Sequence, residues 1–288
     1  RQTHRCAPAR MVKNRGALKG NLGFGLRART FLGSNPTMIK TPFLSICIPT
    51  YDMGGHGAQF LEQSLTKLTH QCFQNFEVVV SDQSDGDSVA QTCHAFSKRL
   101  NIKHLFFSDG PRQASANTNN AVRHAQGEVV KILFQDDILA RQDSLELTAQ
   151  AFLGDAVWMV CGSAVTYDGQ NAIKPMVPQM HPQIRFGKNT ISSPSVLSMR
   201  RGKALEFDEN LIWLMDVEIY HRLNKTYGSP KIVPETLVLN RLHDGQISNT
   251  GVTAELRRNE LSYVRHKHKA DETLKDRIAF YKQILKAR

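Results

Sequence analysis

Apolar positions along this chain fall into blocks that alternate between the strand period of two and the helical period of 3.6. Leu44-Ser45-Ile46-Cys47-Ile48 is a short apolar run stopped by Pro49, and Gln59 to Cys72 follows with Phe60, Leu61, Leu65 and Leu68 at helical spacing. Phe76 to Val80 predicts a second strand, which runs out at Ser81-Asp82-Gln83-Ser84-Asp85. A helix over 88–100, a strand over 102–107 and a helix over 112–125 come next, and Gly127-Glu128 turns the chain into Val129-Val130-Lys131-Ile132-Leu133-Phe134. Four strand–helix repeats rich in Val, Ile and Phe predict an α/β domain. Its sheet should be mostly parallel, covered on both faces and joined by right-handed crossovers.

Beyond Asp137 the alternation loosens. The pattern predicts a helix over 142–152, a strand over 156–165, a patternless loop over 167–189, and a strand over 193–199. It then predicts a helix over 213–227 that buries Val217, Ile219, Tyr220 and Leu223, and a last strand over 231–239. Residues 251–288 form a mixed-charge helical tail to the domain at 38–250. A loop of the length of 167–189 is usually functional or mobile.

Composition narrows the class. A 41% hydrophobic content supports a sizeable core, and no apolar run approaches the roughly 20 residues needed to span a bilayer. Five cysteines without a C-x-x-C pair point away from zinc or a disulfide framework and towards a reducing compartment. The net charge of +11 suggests nucleic acid until its distribution is considered. Residues 1–37 hold eight Lys/Arg and no acid, which leaves only +3 for residues 38–288. A near-neutral body argues against nucleic-acid binding. The basic leader, with its five glycines, reads as disordered sequence ahead of the true start near Met38. A transit-like or polyanion-binding arm and a peripheral membrane contact are the alternatives.

In an open parallel sheet, ligands bind beyond the carboxyl ends of the strands. There this chain places Pro49-Thr50-Tyr51-Asp52, Asp82 and Asp136-Asp137. Each has a plain structural alternative, since Asp favours turns and N-caps and Tyr often packs. Together they put a hydroxyl, an aromatic face and several carboxylates on one edge. Paired carboxylates suit Mg²⁺ or Mn²⁺, which takes one or two protein carboxylates and leaves other positions to phosphate.

These residues resemble the family 2 glycosyltransferases, which have the GT-A fold. Ser45 to Tyr51 looks like that family's first strand and nucleotide-binding exit, and Val79 to Asp85 like its second strand with the Asp that contacts the base. Gly110 to Glu128, with Arg112 and Asn117 at polar positions, is similar to the helix and turn before the metal motif. Phe134-Gln135-Asp136-Asp137 stands at the D-x-D position, and Trp213 to Leu223 resembles the acceptor-side helix. The resemblance implies an inverting transferase that moves a sugar from a nucleotide-diphosphate sugar, UDP- or dTDP-linked, to an acceptor hydroxyl. Asp216 would be the catalytic base, with Glu218 as alternative. Pro49, Thr50, Tyr51, Asp82, Arg112 and Asn117 would bind donor, Asp137 and His243 would hold Mn²⁺ or Mg²⁺, and Asp136 would meet ribose or a metal-bound water. A saccharide or lipid-linked saccharide would be the acceptor in polysaccharide or glycoconjugate synthesis. The setting would be cytoplasmic, with a peripheral position on the inner membrane face. Two positions depart from the pattern: Phe134 or Gln135 replaces the first carboxylate, and Met215 replaces a Glu ahead of the base.

Other classes fare less well. A dinucleotide-binding dehydrogenase needs G-x-G-x-x-G after the first strand, and Met53-Gly54-Gly55-His56-Gly57 lacks that spacing. A sugar nucleotidyltransferase would show a Gly-rich, Lys/Arg-bearing loop there. The incomplete D-x-D is the argument for a degenerate nucleotide-sugar-binding module.

Overall fold

The computed structural model describes residues 41–246 and 251–287; the leader and Met38 lie outside the described residues. β1 (Leu44–Thr50), β2 (Phe76–Asp82), β3 (Ile102–Phe106) and β4 (Val129–Ile132) pair in parallel in the order β3-β2-β1-β4. Every residue of β1 and β2 is buried. Side chains alternate between faces, so both faces of the sheet are covered there, as the continuous apolar runs predict. α1 (Gly57–Thr69), α2 (Ser88–Phe96) and α3 (Ala114–Arg123) are the crossovers, with α3 packed on β1 and β2.

Past β4 the sheet changes character. β5 (Ile138–Leu139) is a two-residue strand; α4 (Ser144–Ala151) leads to β6 (Trp158–Thr166), and β7 (Ile173–Met176) lies within the segment expected to be patternless. A short 3₁₀ turn at Pro194–Val196 opens β8 (Leu197–Arg200), where a strand was expected from residue 193. α5 (Met215–Tyr227) buries Val217, Ile219, Tyr220 and Leu223 as predicted, and β9 (Lys231–Arg241) closes the sheet. The full order is β3-β2-β1-β4-β8-β6-β9-β5, with β7 on β6. β8 runs antiparallel to both β4 and β6, while β6 and β9 are parallel to each other. Two reversals restore direction, so β6 and β9 end on the same edge as β1, β2 and β4. That geometry lets Asn240 and Arg241 meet the Asp136-Asp137 pair.

α6 (Ala254–Lys267) and α7 (Leu274–Lys286) follow. Glu260 of α6 accepts hydrogen bonds from the backbone N–H groups of Ile212, Trp213 and Leu214, at 2.7, 3.0 and 2.8 Å, tying the helix to the segment before α5. No described helix is long and apolar enough to cross a membrane. Cys47, Cys93 and Cys161 are buried free thiols.

Candidate active site

A cavity of about 510 Å³ opens at the shared strand edge. One end is bordered by Pro49, Tyr51, Asp52, Gln83, Asp85, Arg112 and Asn117, and the other by Ile212, Trp213, Met215 and Asp216, with Asp136 between them. Six of the expected site residues therefore come together: Pro49, Tyr51, Arg112, Asn117, Asp136 and Asp216.

At the first end, the chain leaving β1 is held by Gln135. Its Oε1 accepts from Tyr51 N at 2.6 Å, and its Nε2 donates to the carbonyls of Tyr51 at 3.0 Å and Gly57 at 3.1 Å. The residue at the missing carboxylate's place is thus a staple for the β1 exit. Gly57 has to be small there, since an added Cβ would lie 2.1 Å from the Tyr51 carbonyl oxygen. Thr50 is fully buried and hydrogen-bonds Ser81 O, so it shapes the exit without reaching the cavity. Asn117 Nδ2 donates to Thr50 O at 2.9 Å, which fixes the amide's orientation. Its Oδ1 is then left buried at the cavity wall without a partner.

Asp82, expected to contact the base, is 1% exposed and does not line the cavity. His104 Nε2 lies 2.9 Å from one oxygen, and Ser84 N and Thr50 Oγ1 donate to the other at 2.9 and 3.3 Å. Burial alone would raise its pKa, but the bonds from His104 and Ser84 hold it below the usual range. The cavity-lining acids here are the half-buried Asp52, which accepts from Asp85 N at 2.9 Å, and the exposed Asp85, which pairs with Arg112. Sequence reasoning did not assign Gln83, Asp85 or Gln135 to the site. Only the last carried a signal, through its place in the motif.

The two motif carboxylates divide differently from expectation. Asp137 is enclosed: Arg241 N donates to one oxygen at 3.1 Å, and Ser193 Oγ and Asn240 Nδ2 donate to the other at 3.1 and 3.2 Å. Burial and the charge of Asp136 push its pKa up. Asp136 instead faces the cavity, with His243 Nε2 3.2 Å from its Oδ2 and the Phe60 ring 4.9 Å from the His243 ring. Asp137, the expected metal ligand, thus receives three protein donors and borders an adjoining cavity, while Asp136 borders both cavities. Two adjacent ligands of an octahedral ion with bonds of roughly 2.1 Å lie about 3 Å apart, so Asp136 and His243 fit such an ion. No group of three or more His, Cys, Asp or Glu side chains suited to a metal occurs among the described residues. Any ion held here would draw its remaining ligands from substrate and water. A second cavity of about 430 Å³ adjoins the first across Asp136 and Ser193.

At the far end Asp216 opens α5. It accepts from Asn189 Nδ2 and Val217 N, both at 2.7 Å, and burial pushes its pKa up to about 7, opposed by the Val217 bond and assisted by the charge of Glu260. A carboxylate poised there can accept a proton near neutral pH. Glu218, the alternative base, is placed differently. It is fully buried, away from the cavity, and contacts Arg222 at 2.8 Å, Lys267 at 2.8 Å and His268 at 3.1 Å. Burial disfavours its charge, but His268, Arg222 and Lys267 outweigh that and lower its pKa to about 2.

Comparisons with known proteins identify the family and the fold. Residues 45–219 match the profile described as glycosyl transferase family 2. The chain is 34% identical over 134 residues to validoxylamine A glucosyltransferase of Streptomyces hygroscopicus, a match spanning 45% of this chain and 30% of that enzyme. It is 25% identical over 252 residues to WcaA of Escherichia coli, a glycosyl transferase ascribed to colanic acid biosynthesis, across 83% of this chain and 86% of that one. Among solved structures, S. aureus TarS 1-349 in complex with UDP-GlcNAc superposes with a TM-score of 0.61 at 17% identity, covering 85% of this chain and 72% of that one.

Proposed function

Since the chain belongs to glycosyl transferase family 2 and has the GT-A fold, we propose that it transfers a sugar, with inversion, from a UDP- or dTDP-linked donor to an acceptor hydroxyl. The observation that carries this reading is the placement of Asp136 and Asp216 around one cavity, the first beside His243 and the second with its pKa near neutrality. Tyr51 borders the nucleoside end, and the unpartnered Asn117 Oδ1 suits a ring N–H such as that of uracil or thymine. Arg112, mostly exposed at the rim, can turn from Asp85 towards diphosphate. Asp136 and His243 would hold Mn²⁺ or Mg²⁺, which as a Lewis acid offsets the charge that builds on the leaving diphosphate. Asp216 takes the proton from the attacking hydroxyl, and Trp213 and Ile212 form the apolar wall against which a sugar ring can lie. The relation to WcaA, named for colanic acid biosynthesis, supports a saccharide acceptor.

Gln135 argues against a degenerate module. The carboxylate missing at its position is replaced by a residue that builds the donor loop, and the cavity retains its other polar groups. The test pairs binding with turnover. UDP with Mn²⁺ should raise the melting temperature beyond UDP alone, and Asp136→Asn should remove that increment. Asp216→Asn should keep it while lowering transfer by roughly 10²-fold or more. Full turnover by Asp216→Asn would overturn the base assignment.

A further inference from the structure

α7 has two faces, and the reaction uses neither. The inner face is anchored: Asp276 and Phe280 are buried, Asp276 pairs with the buried Arg185 at 3.0 Å, and Phe280 packs edge-on against Phe186 at 6.0 Å. Thr273 and Asp276 close a capping box at its start. The outer face carries Leu274, Ile278, Tyr281 and Leu285, which are 73%, 48%, 56% and 56% exposed. At 100° per residue these four lie within about 60° of one another, so they form one apolar stripe along the helix. Lys275, Lys282 and Lys286 border it on one side and Arg277 on the other, all exposed. None of the three lysines pairs with a carboxylate among the described residues.

Charge selects the occupant. A second copy of this face would bring lysines against lysines, and the basic 1–37 segment carries the same sign. The helix's one acid, Asp276, is already committed to Arg185. A narrow apolar stripe with cationic flanks and a tyrosine within it fits the interface of a negatively charged bilayer, where apolar groups enter the acyl boundary and lysines reach headgroup phosphates. We propose that α7 is a membrane-surface anchor, with Leu274, Ile278, Tyr281 and Leu285 inserted among anionic phospholipids and Lys275, Lys282 and Lys286 on their headgroups. Glu260 of α6 grips the backbone of Ile212 to Leu214, so the anchor also fixes the Trp213–Asp216 wall relative to the bilayer.

The experiment needs no sugar transfer, so its outcome is separate from the catalytic reading. The full chain is sedimented with vesicles of phosphatidylcholine alone or mixed with phosphatidylglycerol. The comparison is with Leu274→Ser/Ile278→Ser/Leu285→Ser, which keeps the charge, and Lys275→Gln/Lys282→Gln/Lys286→Gln, which keeps the stripe. Wild type should partition onto mixed vesicles and not onto neutral ones, and each triple variant should lose about tenfold or more in partitioning. Circular dichroism checks that the helices persist, and the lysine variant remains informative if the serine variant unfolds. Equal binding to both vesicle types, or undiminished binding by folded variants, would overturn the anchor. So would a dimer in ultracentrifugation that the serine substitutions dissolve, since that would assign the stripe to a protein contact.

Discussion

Removing the Asn189 amide from Asp216 should move the acid limb of kcat/KM to higher pH. Burial raises the Asp216 pKa from 3.8 to about 7, so the base is protonated and idle on the acid side of neutrality. Turnover should fall about tenfold per pH unit below that value. The Asn189 Nδ2 bond at 2.7 Å favours the charged form and opposes the rise. A hydrogen bond to a charged acceptor contributes roughly 1.5–3 kcal/mol, and at this cavity-facing position water would recover about half of it. About 1 kcal/mol corresponds to roughly 0.7 of a pKa unit, so Asn189→Ala should displace the limb upward by that much. Glu260→Gln should displace it downward, because the Glu260 charge raises Asp216. Asn189 also accepts from Ile191 N and Ser192 N, so its loss loosens a loop. Loosening lowers the plateau without moving the limb, and a melting curve measures it separately. Limbs that stay put in both variants, or move in the same direction, would refute the role of Asp216 as base.

Four further outcomes follow from the same geometry. Asp216→Asn should melt higher than wild type at pH 8 and no higher at pH 4: the raised pKa means the folded protein holds a proton, and stability is lost as pH climbs towards about 7. Glu218→Gln should lower stability at neutral pH by about 3 kcal/mol in denaturant titration, because Arg222, Lys267 and His268 would be left around an uncharged amide. That contribution is present above the unfolded pKa of 4.5 and disappears as pH falls through about 2, so the two proteins should converge in acid. Gly57→Ala should weaken UDP binding in calorimetry, since its Cβ would push on the Tyr51 carbonyl. Asp137→Asn should raise the metal-free melting temperature at pH 8, because burial and the charge of Asp136 disfavour its carboxylate, and should leave the Mn²⁺ increment intact; loss of that increment would return the metal to Asp137.

The parallel half of the fold was legible because β1, β2 and β4 are buried along their length and read as largely apolar runs, with the partly buried β3 at the sheet edge. β7 was not, because Ile-Lys-Pro-Met at 173–176 is exposed and held mainly by pairing with β6. β5 is too short to leave a pattern. At the site, Asp136-Asp137 and Asp216-Glu218 were readable as pairs, with Asp216 the member expected to act, but the partners chosen by Asp137 and Glu218 were not readable. Those choices depend on distant chain: β9 supplies Asn240 and Arg241 to Asp137, and α6 with its following turn supplies Lys267 and His268 to Glu218. Asp82 depends on distant chain in the same way, since its partner His104 lies on the neighbouring strand β3.

The antiparallel half of the sheet makes the shortened metal motif workable. β8 and β9 carry Ser193, Asn240 and Arg241 back to the exit of β4, where Asp137 collects all three. Lys131, fully buried on β4, donates to Ser195 O, and Ser195 Oγ accepts from Phe134 N at 2.9 Å, so the entry to β8 is tied to β4 a second time. Burial pushes the Lys131 pKa down, and the Asp137 charge opposes that shift. Arg241 Nε donates to Asp136 O at 3.0 Å, and its guanidinium lies 4.9 Å over Phe60, beside which His243 sits. One carboxylate of the pair thus organises the strands that orient the other. In the proposed reading, Asp136 and His243 would then present an oxygen and an imidazole nitrogen 3.2 Å apart to a divalent ion.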